Sequence, residues 1–134
     1  MIKFSFEKVG KSFFGTVYRP VAKVSLHSSV FNSWTDTWMI VDTGADFTIL
    51  PKYLSKNLGI SLEKDCVKDR TAGVGGAQTI YLCKNKVTVK IGANKRSIPV
   101  AFFDNDEVPA LLGRLGFMET FDTKFLKSHQ VVFD

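Results

Sequence analysis

The tightest constraint on this chain is the run Met39-Ile40-Val41-Asp42-Thr43-Gly44-Ala45-Asp46-Phe47-Thr48-Ile49-Leu50-Pro51. An apolar stretch delivers a carboxylate into a turn of small residues, and a second apolar stretch leaves it. An acid at the rim of a core costs free energy unless it is paired or used. Thr43 and Gly44 let the backbone bend sharply and bring N–H groups toward the carboxylate. Such an arrangement suits a carboxylate used in chemistry; the structural alternative is an acid that caps a turn in an inert β-domain.

The rest of the chain reads as short strands. Ile2, Phe4 and Phe6 alternate with polar residues, which is the period of a half-buried strand. A turn is expected at Gly10-Lys11-Ser12 and a strand over Phe13 to Tyr18, broken by Arg19-Pro20. Ala22, Val24 and Leu26 give the next strand one apolar face. A surface turn is expected within the polar stretch Ser28 to Asp36, and Trp38 to Val41 is the strand carrying Asp42.

Phe47 to Leu50 reads as a strand leaving the loop. Pro51 to Leu58 reads as two turns of helix, stopped at Gly59. Residues 63 to 72 are charged and look mobile. Thr71 to Gln78 is a Gly-rich tip between two strand-like arms, and Tyr81 to Ile91 continues with apolar residues on one face. Gly92-Ala93-Asn94 turns the chain into a strand over Ile98 to Phe103. After the acidic loop Asp104 to Glu107, Val108 to Leu112 leads to Gly113. A short helix is expected over Arg114 to Thr120, then strands over Phe121 to Leu126 and Val131 to Phe133. Many short strands with one or two brief helices predict an all-β, closed or folded-over sheet.

Two motifs carry a family resemblance. The string around Asp42-Thr43-Gly44-Ala45-Asp46 resembles the active-site loop of retropepsin-like aspartic proteases. A second element of that family, Ala110-Leu111-Leu112-Gly113-Arg114, follows about seventy residues later. The resemblance covers roughly residues 18 to 134, with a weaker match over the N-terminal strand extension 1–17. Leu115-Gly116-Phe117 stands where many viral members have Asp or Asn after Gly-Arg, so the chain is more similar to cellular and bacterial members. What the resemblance implies is one domain over 1–134, a closed β-barrel half-unit, and a C2 homodimer. It also accounts for an internal echo, apolar residues running into Gly at Ile40–Gly44 and at Leu111–Gly113, because that fold is a pseudo-duplication of two strand–loop units.

The implied activity is hydrolysis of peptide bonds. Without metal or nucleophile, this chemistry needs an activated water and a proton donor, and two carboxylates sharing one proton supply both. The chain holds a single Asp-Thr-Gly, so the second carboxylate is expected from a second copy, with Asp42 and its symmetry mate on the dyad. Asp36 and Asp46 are the alternatives within a monomer. The resemblance further assigns catalytic roles to Asp42, Thr43 and Gly44, with Thr43 tying the two loops together across the axis. It assigns substrate binding to Gly44, Ala45, Asp46, Gly73, Val74, Gly75 and Gly76, the last four as a flap tip within Gly73–Gln78. Arg114 would brace Asp46, and Gly113 would support the loop. The rival readings are a non-catalytic dimerisation or peptide-binding module of the same fold, and a basic β-barrel that binds nucleic acid.

Composition bears on those rivals. The net charge is +5, but the basic residues are scattered without a like-charged run, so a solvated surface is expected and nucleic acid is not. Lys3, Glu7, Lys8 and Lys11 interrupt any signal-peptide core, and no apolar stretch approaches the ~18 residues of a membrane span. A cytoplasmic protein without membrane contact is the expectation. His27 and His129 stand alone and Cys66 and Cys83 lack metal-ligand spacing, so neither metal nor cofactor is expected. The two cysteines are expected as free thiols, with a cross-strand disulfide under oxidation as the alternative if residues 65 to 85 form a hairpin.

Overall fold

The computed structural model describes residues 1–73 and 76–134. Its centre is a nine-stranded sheet built around Val21–Ser28 (β4) and Ser33–Val41 (β5), which pair antiparallel from Val21 opposite Ile40 to Ser28 opposite Ser33. In β4 the apolar positions Val24 and Leu26 are fully buried, as the alternation requires. β5 begins before the expected Trp38, because Ser33 to Thr37 face β4 as ladder partners although most of their side chains meet solvent.

Thr48–Leu50 (β6), the helix Tyr53–Leu58 (α1), Cys66–Gly73 (β7), Gly76–Cys83 (β8) and Val87–Ile91 (β9) follow. Then come Asn94–Ile98 (β10), Val100–Phe103 (β11) and Ala110–Leu112 (β12). The strand order is β10-β9-β4-β5-β12-β6-β11-β8-β7. α1 ends where Gly59 adopts φ +68° and donates its N–H to the last turn, a left-handed cap that suits glycine. Among the described residues no helix is long and apolar enough to cross a membrane.

The sheet has two apolar faces. Val24, Leu26, Met39, Leu50, Phe102 and Leu112 belong to the main core, together with Leu54 and Leu58 of α1. The intervening residues Ile49, Ala101 and Phe103, joined by Ile80, form a smaller cluster on the other face. A separate three-stranded sheet pairs Ile2–Ser5 (β1) with Gln130–Phe133 (β14), which also pairs with Thr123–Leu126 (β13). Phe133 and Val131 of β14 complete the main core.

Several expectations are corrected. The large sheet does not close into a barrel: among the described residues β10 and β7 remain its edges. Both edges carry exposed charges, Lys95 on β10 and Lys68, Asp69 and Arg70 on β7, which disfavours further pairing. The N-terminal turn falls at Phe13-Phe14 rather than at Gly10-Lys11-Ser12, because Glu7–Ser12 (β2) and Gly15–Arg19 (β3) form a hairpin. Ser12 Oγ closes that turn by accepting the Phe14 N–H at 3.1 Å and donating to the Gly15 carbonyl at 3.0 Å. Both phenylalanines are left almost wholly exposed. The charged segment 63–72, which looks mobile from its sequence, is ordered from Cys66 onward as strand β7. The strand expected over Ile98–Phe103 begins at Val100 as β11, and an additional strand, β10, precedes it; Pro99, with no N–H for a ladder, separates the two. The helix expected over Arg114 to Thr120 shrinks to a 3₁₀ turn at Met118–Thr120, following Gly116 at φ +73°.

Candidate active site

Asp42 follows the last residue of β5. Its position is set by β12, which runs parallel to β5 with Leu111 opposite Ile40 and Leu112 opposite Val41. The Asp42 N–H donates to the Leu112 carbonyl at 3.0 Å, and the Val41 N–H donates to the Pro20 carbonyl at 2.9 Å. The ladder therefore extends to the residue that bears the carboxylate. On the far side of β12 lies β6, with Leu111 opposite Ile49. The chain thus leaves the centre on β5, turns through Asp42–Phe47, and re-enters as β6 two strands away, with β12 between.

Within the turn the Gly44 N–H donates to Asp42 Oδ1 at 2.9 Å, and the Ala45 N–H donates to the Asp42 carbonyl at 3.2 Å. A side chain at Gly44 would begin 3.2 Å from Asp42 Oδ1. Asp42 is half-buried, while Thr43 and Gly44 are exposed. The carboxylate is held by a backbone donor yet remains open to solvent, which leaves an oxygen available to a ligand.

The second motif clamps this turn. The Arg114 N–H donates to the Ala45 carbonyl at 3.1 Å, and the Leu115 N–H donates to the Asp46 carbonyl at 2.8 Å. Arg114 Nη2 donates to Asp46 Oδ1 at 2.5 Å. One feature escaped the sequence reading: the buried hydroxyl of Thr48 accepts the Gly113 N–H at 3.1 Å. It satisfies a main-chain donor where the two motifs cross.

The acids considered as partners for Asp42 within one chain are engaged elsewhere. Asp46 is paired with Arg114. Asp36 accepts the Ser25 hydroxyl at 2.5 Å and lies 3.6 Å from Lys23 Nζ. The Ser25 hydrogen bond, with Lys23 assisting, holds the Asp36 carboxyl below the usual carboxylate range. Asp36 also sits about six residues back along β5, roughly 20 Å from Asp42 at the rise of a strand.

Two further surfaces adjoin the loop. A groove of about 620 Å³ is lined by Thr43, Phe47, Leu115, Met118, Phe121 and Phe125, with Asp46 and Arg114 at its wall. The small apolar cluster of Ile49, Ile80, Ala101 and Phe103 has partly buried Phe47, Leu82, Val108 and Leu111 packed against it. It spans the strands beside Asp42 and the β8 arm of the Gly-rich hairpin. Sequence reading did not single out these apolar residues; their signal was only the alternation within β6, β11 and β12. Gly73 and Gly76 pair at the end of the β7–β8 hairpin. Val74 and Gly75, expected at the flap tip, lie outside the described residues. Among the described residues no group of His, Cys, Asp or Glu side chains is arranged to hold a metal ion.

An acid at the end of one central strand, a glycine-rich hairpin and a Gly-Arg brace one strand away define the retropepsin-like class of all-β fold. The crystal structure of a retropepsin-like aspartic protease from Rickettsia conorii superimposes with a TM-score of 0.65 over 98% of each chain, at 18% sequence identity. The chain belongs to the aspartyl protease family, whose model, described as Aspartyl protease, matches residues 28–115. No curated protein sequence matches the chain.

Proposed function

We propose that this chain, as one unit over residues 1–134, is an aspartic endopeptidase that works as a C2 homodimer. Asp42 of each copy would hold a shared water. The observation that carries this reading is the state of the three acids: Asp42 has an open carboxylate steadied by the Gly44 N–H, while Asp46 and Asp36 are occupied by Arg114, Ser25 and Lys23. The missing half of a carboxylate pair then comes from a second copy. The partly apolar groove that begins at Thr43 supports the same reading, since it gives a second chain a surface beside the loop.

Two carboxylates about 3 Å apart repel by roughly 5 kcal/mol at an effective dielectric near 20. One proton is therefore retained between them through mildly acidic pH, as is general for aspartic-protease dyads. The ionised member takes a proton from the water as its oxygen attacks the peptide carbonyl, and the protonated member donates to the carbonyl oxygen. Collapse of the tetrahedral adduct returns a proton to the departing amide nitrogen. The pair titrates as a unit. Thr43 would tie the two loops together across the axis, Gly44 and Ala45 would line the substrate backbone, and Gly73 to Gly76 would cover it. Ile49, Leu82, Val108 and Leu111 would form apolar walls for substrate side chains.

The test is hydrolysis of a denatured protein at pH 4 to 6 across a dilution series, with sedimentation in parallel and a statine-type inhibitor as control. Specific activity is expected to rise with the dimer fraction and to fall with the inhibitor. A chain that stays monomeric and still cleaves overturns the shared pair. Inhibitor binding by a dimer that never cleaves favours a non-catalytic peptide-binding module.

A further inference from the structure

Cys66 opens β7 and Cys83 closes β8, directly opposite each other in the ladder. Their Sγ atoms are 3.5 Å apart, and both are free thiols. The preceding opposed pair is Asp65 and Lys84, joined by a Lys84 N–H to Asp65 carbonyl bond of 2.9 Å. Opposed residues in an antiparallel ladder alternate between bonded and non-bonded pairs, so Cys66 and Cys83 occupy a non-bonded pair. Cα atoms at such a position lie about 4.5 Å apart, within the roughly 4.4–6.8 Å that a disulfide spans. Oxidation therefore needs little backbone movement.

The two thiols differ in access. Cys66 is 6% exposed and packs in the main core. Cys83 is half-buried and lines a cavity of about 230 Å³ with His27, Asp65 and Lys86. A small oxidant reaches Cys83 first, and Cys66 stands behind it as the resolving thiol.

We propose that Cys66 and Cys83 are a reversible oxidation site, converted by a hydroperoxide into a cross-strand disulfide that pins the root of the β7–β8 hairpin. The Cys83 thiolate attacks one peroxide oxygen and the O–O bond breaks. With hydrogen peroxide the departing hydroxide takes up the proton that Cys83 released, leaving a sulfenic acid and water. The Cys66 sulfur then attacks the Cys83 sulfur, and hydroxide leaves with the Cys66 proton as a second water. Two thiols lose two electrons and one peroxide gains them. A dithiol reductant reverses the change by two exchanges. Burial pushes both thiols above their ordinary range, Cys83 further than Cys66, so access rather than acidity makes Cys83 the attacking sulfur. The thiolate is scarce at neutral pH and the reaction quickens about tenfold per pH unit below the thiol pKa.

The position gives the bond a consequence. Among the described residues β7 pairs only with β8 and forms an edge of the sheet. The disulfide would tie that edge at the end farthest from the Gly-rich tip and damp its separation from β8. This inference holds whether or not the chain is a protease.

The reduced chain is treated with hydrogen peroxide at pH 8 to 9, and intact mass, thiol content and backbone hydrogen exchange are measured. Expected are a loss of about 2 Da, disappearance of both thiols, a Cys66–Cys83 linked peptide, and exchange of β7 amides slowed about tenfold or more. A dithiol restores the starting mass. In Cys66→Ser the resolving thiol is gone, and Cys83 instead gains about 16 or 32 Da. Gain of oxygen on one wild-type cysteine while the other keeps its thiol overturns the proposal, as does a disulfide between chains. Loss of two hydrogens with unchanged β7 exchange overturns the stiffening. The wild-type masses decide the pairing even if the variant fails to fold.

Discussion

Gly113 passes so close to Phe47 that a β-carbon on it would lie 2.3 Å from both the carbonyl carbon and the carbonyl oxygen of Phe47. Those atoms are main chain and cannot swing aside. Here the β6 approach and the exit from β12 cross, with Thr48 Oγ1 accepting the Gly113 N–H. Gly113→Ala is expected to cost about 3 kcal/mol, at the upper end for overpacking. Denaturant titration measures it; a loss below about 1 kcal/mol means the crossing is looser than described.

Asp42→Asn keeps an oxygen that can accept the Gly44 N–H, so the turn is retained while the acid–base function is lost. Peptide hydrolysis is expected to fall by about 10³-fold or more, with an unchanged melting temperature and sedimentation. Initial rates and a thermal melt on the same sample check it. Residual activity within tenfold of wild type removes Asp42 from the chemistry.

The Asp46–Arg114 pair is largely solvent-exposed, with 72% and 49% of the side chains accessible. Water screens such a pair, and a double-mutant cycle of Asp46→Ala with Arg114→Ala should return a coupling of only about 0.5–1 kcal/mol in stability. Its larger effect is expected in turnover, because the pair positions the Asp42 loop. Arg114→Lys keeps the charge but not the planar donor fork, and should lower kcat more than it lowers the melting temperature. Equal, small effects on both would make the pair a surface contact without influence on the loop.

Asp36 supplies an acid-limb signature. Its carboxyl is held below the ordinary aspartate range, chiefly by the Ser25 hydroxyl. A carboxyl lowered by folding contributes stability that is present above its unfolded pKa and is lost as the pH falls through the folded value. Ser25→Ala should move the Asp36 titration upward and weaken the dependence of the melting temperature on pH below about 4. NMR titration of the Asp36 side chain checks the first effect, and melts between pH 2 and 5 check the second. An Asp36 titration unchanged by the substitution rules out Ser25 as the cause.

What was legible in the sequence follows physical lines. An apolar strand that ends on an acid among small residues leaves few ways to fold, so the end of β5, the loop and β6 could be read directly, whereas the polar first half of β5 could not. The partnership of Asp46 with Arg114 came through family resemblance, because no local pattern links residues so far apart. Phe13 and Phe14 misled because aromatic residues suit strands, whereas the Ser12 hydroxyl and Gly15 make them a turn. β7 was obscured by Lys68, Asp69 and Arg70, whose charges suit an edge strand as well as a loop. The groove beside Thr43 exists only once the Asp42 loop meets the segment from Arg114 to Phe125, and the apolar layer around Leu111 only after β6, β11 and β12 are side by side.

The three-residue strand β12 carries a consequence for the timing of synthesis. Until Leu112, Gly113 and Arg114 have left the ribosome, the turn at Asp42 lacks the partners that shape it, and the Arg114 side chain that pairs with Asp46 lies 68 residues along the chain. Contacts of such sequence separation form late in folding. A growing chain that already displays Asp42 therefore holds it in an unshaped turn until the Gly113-Arg114 motif has been added.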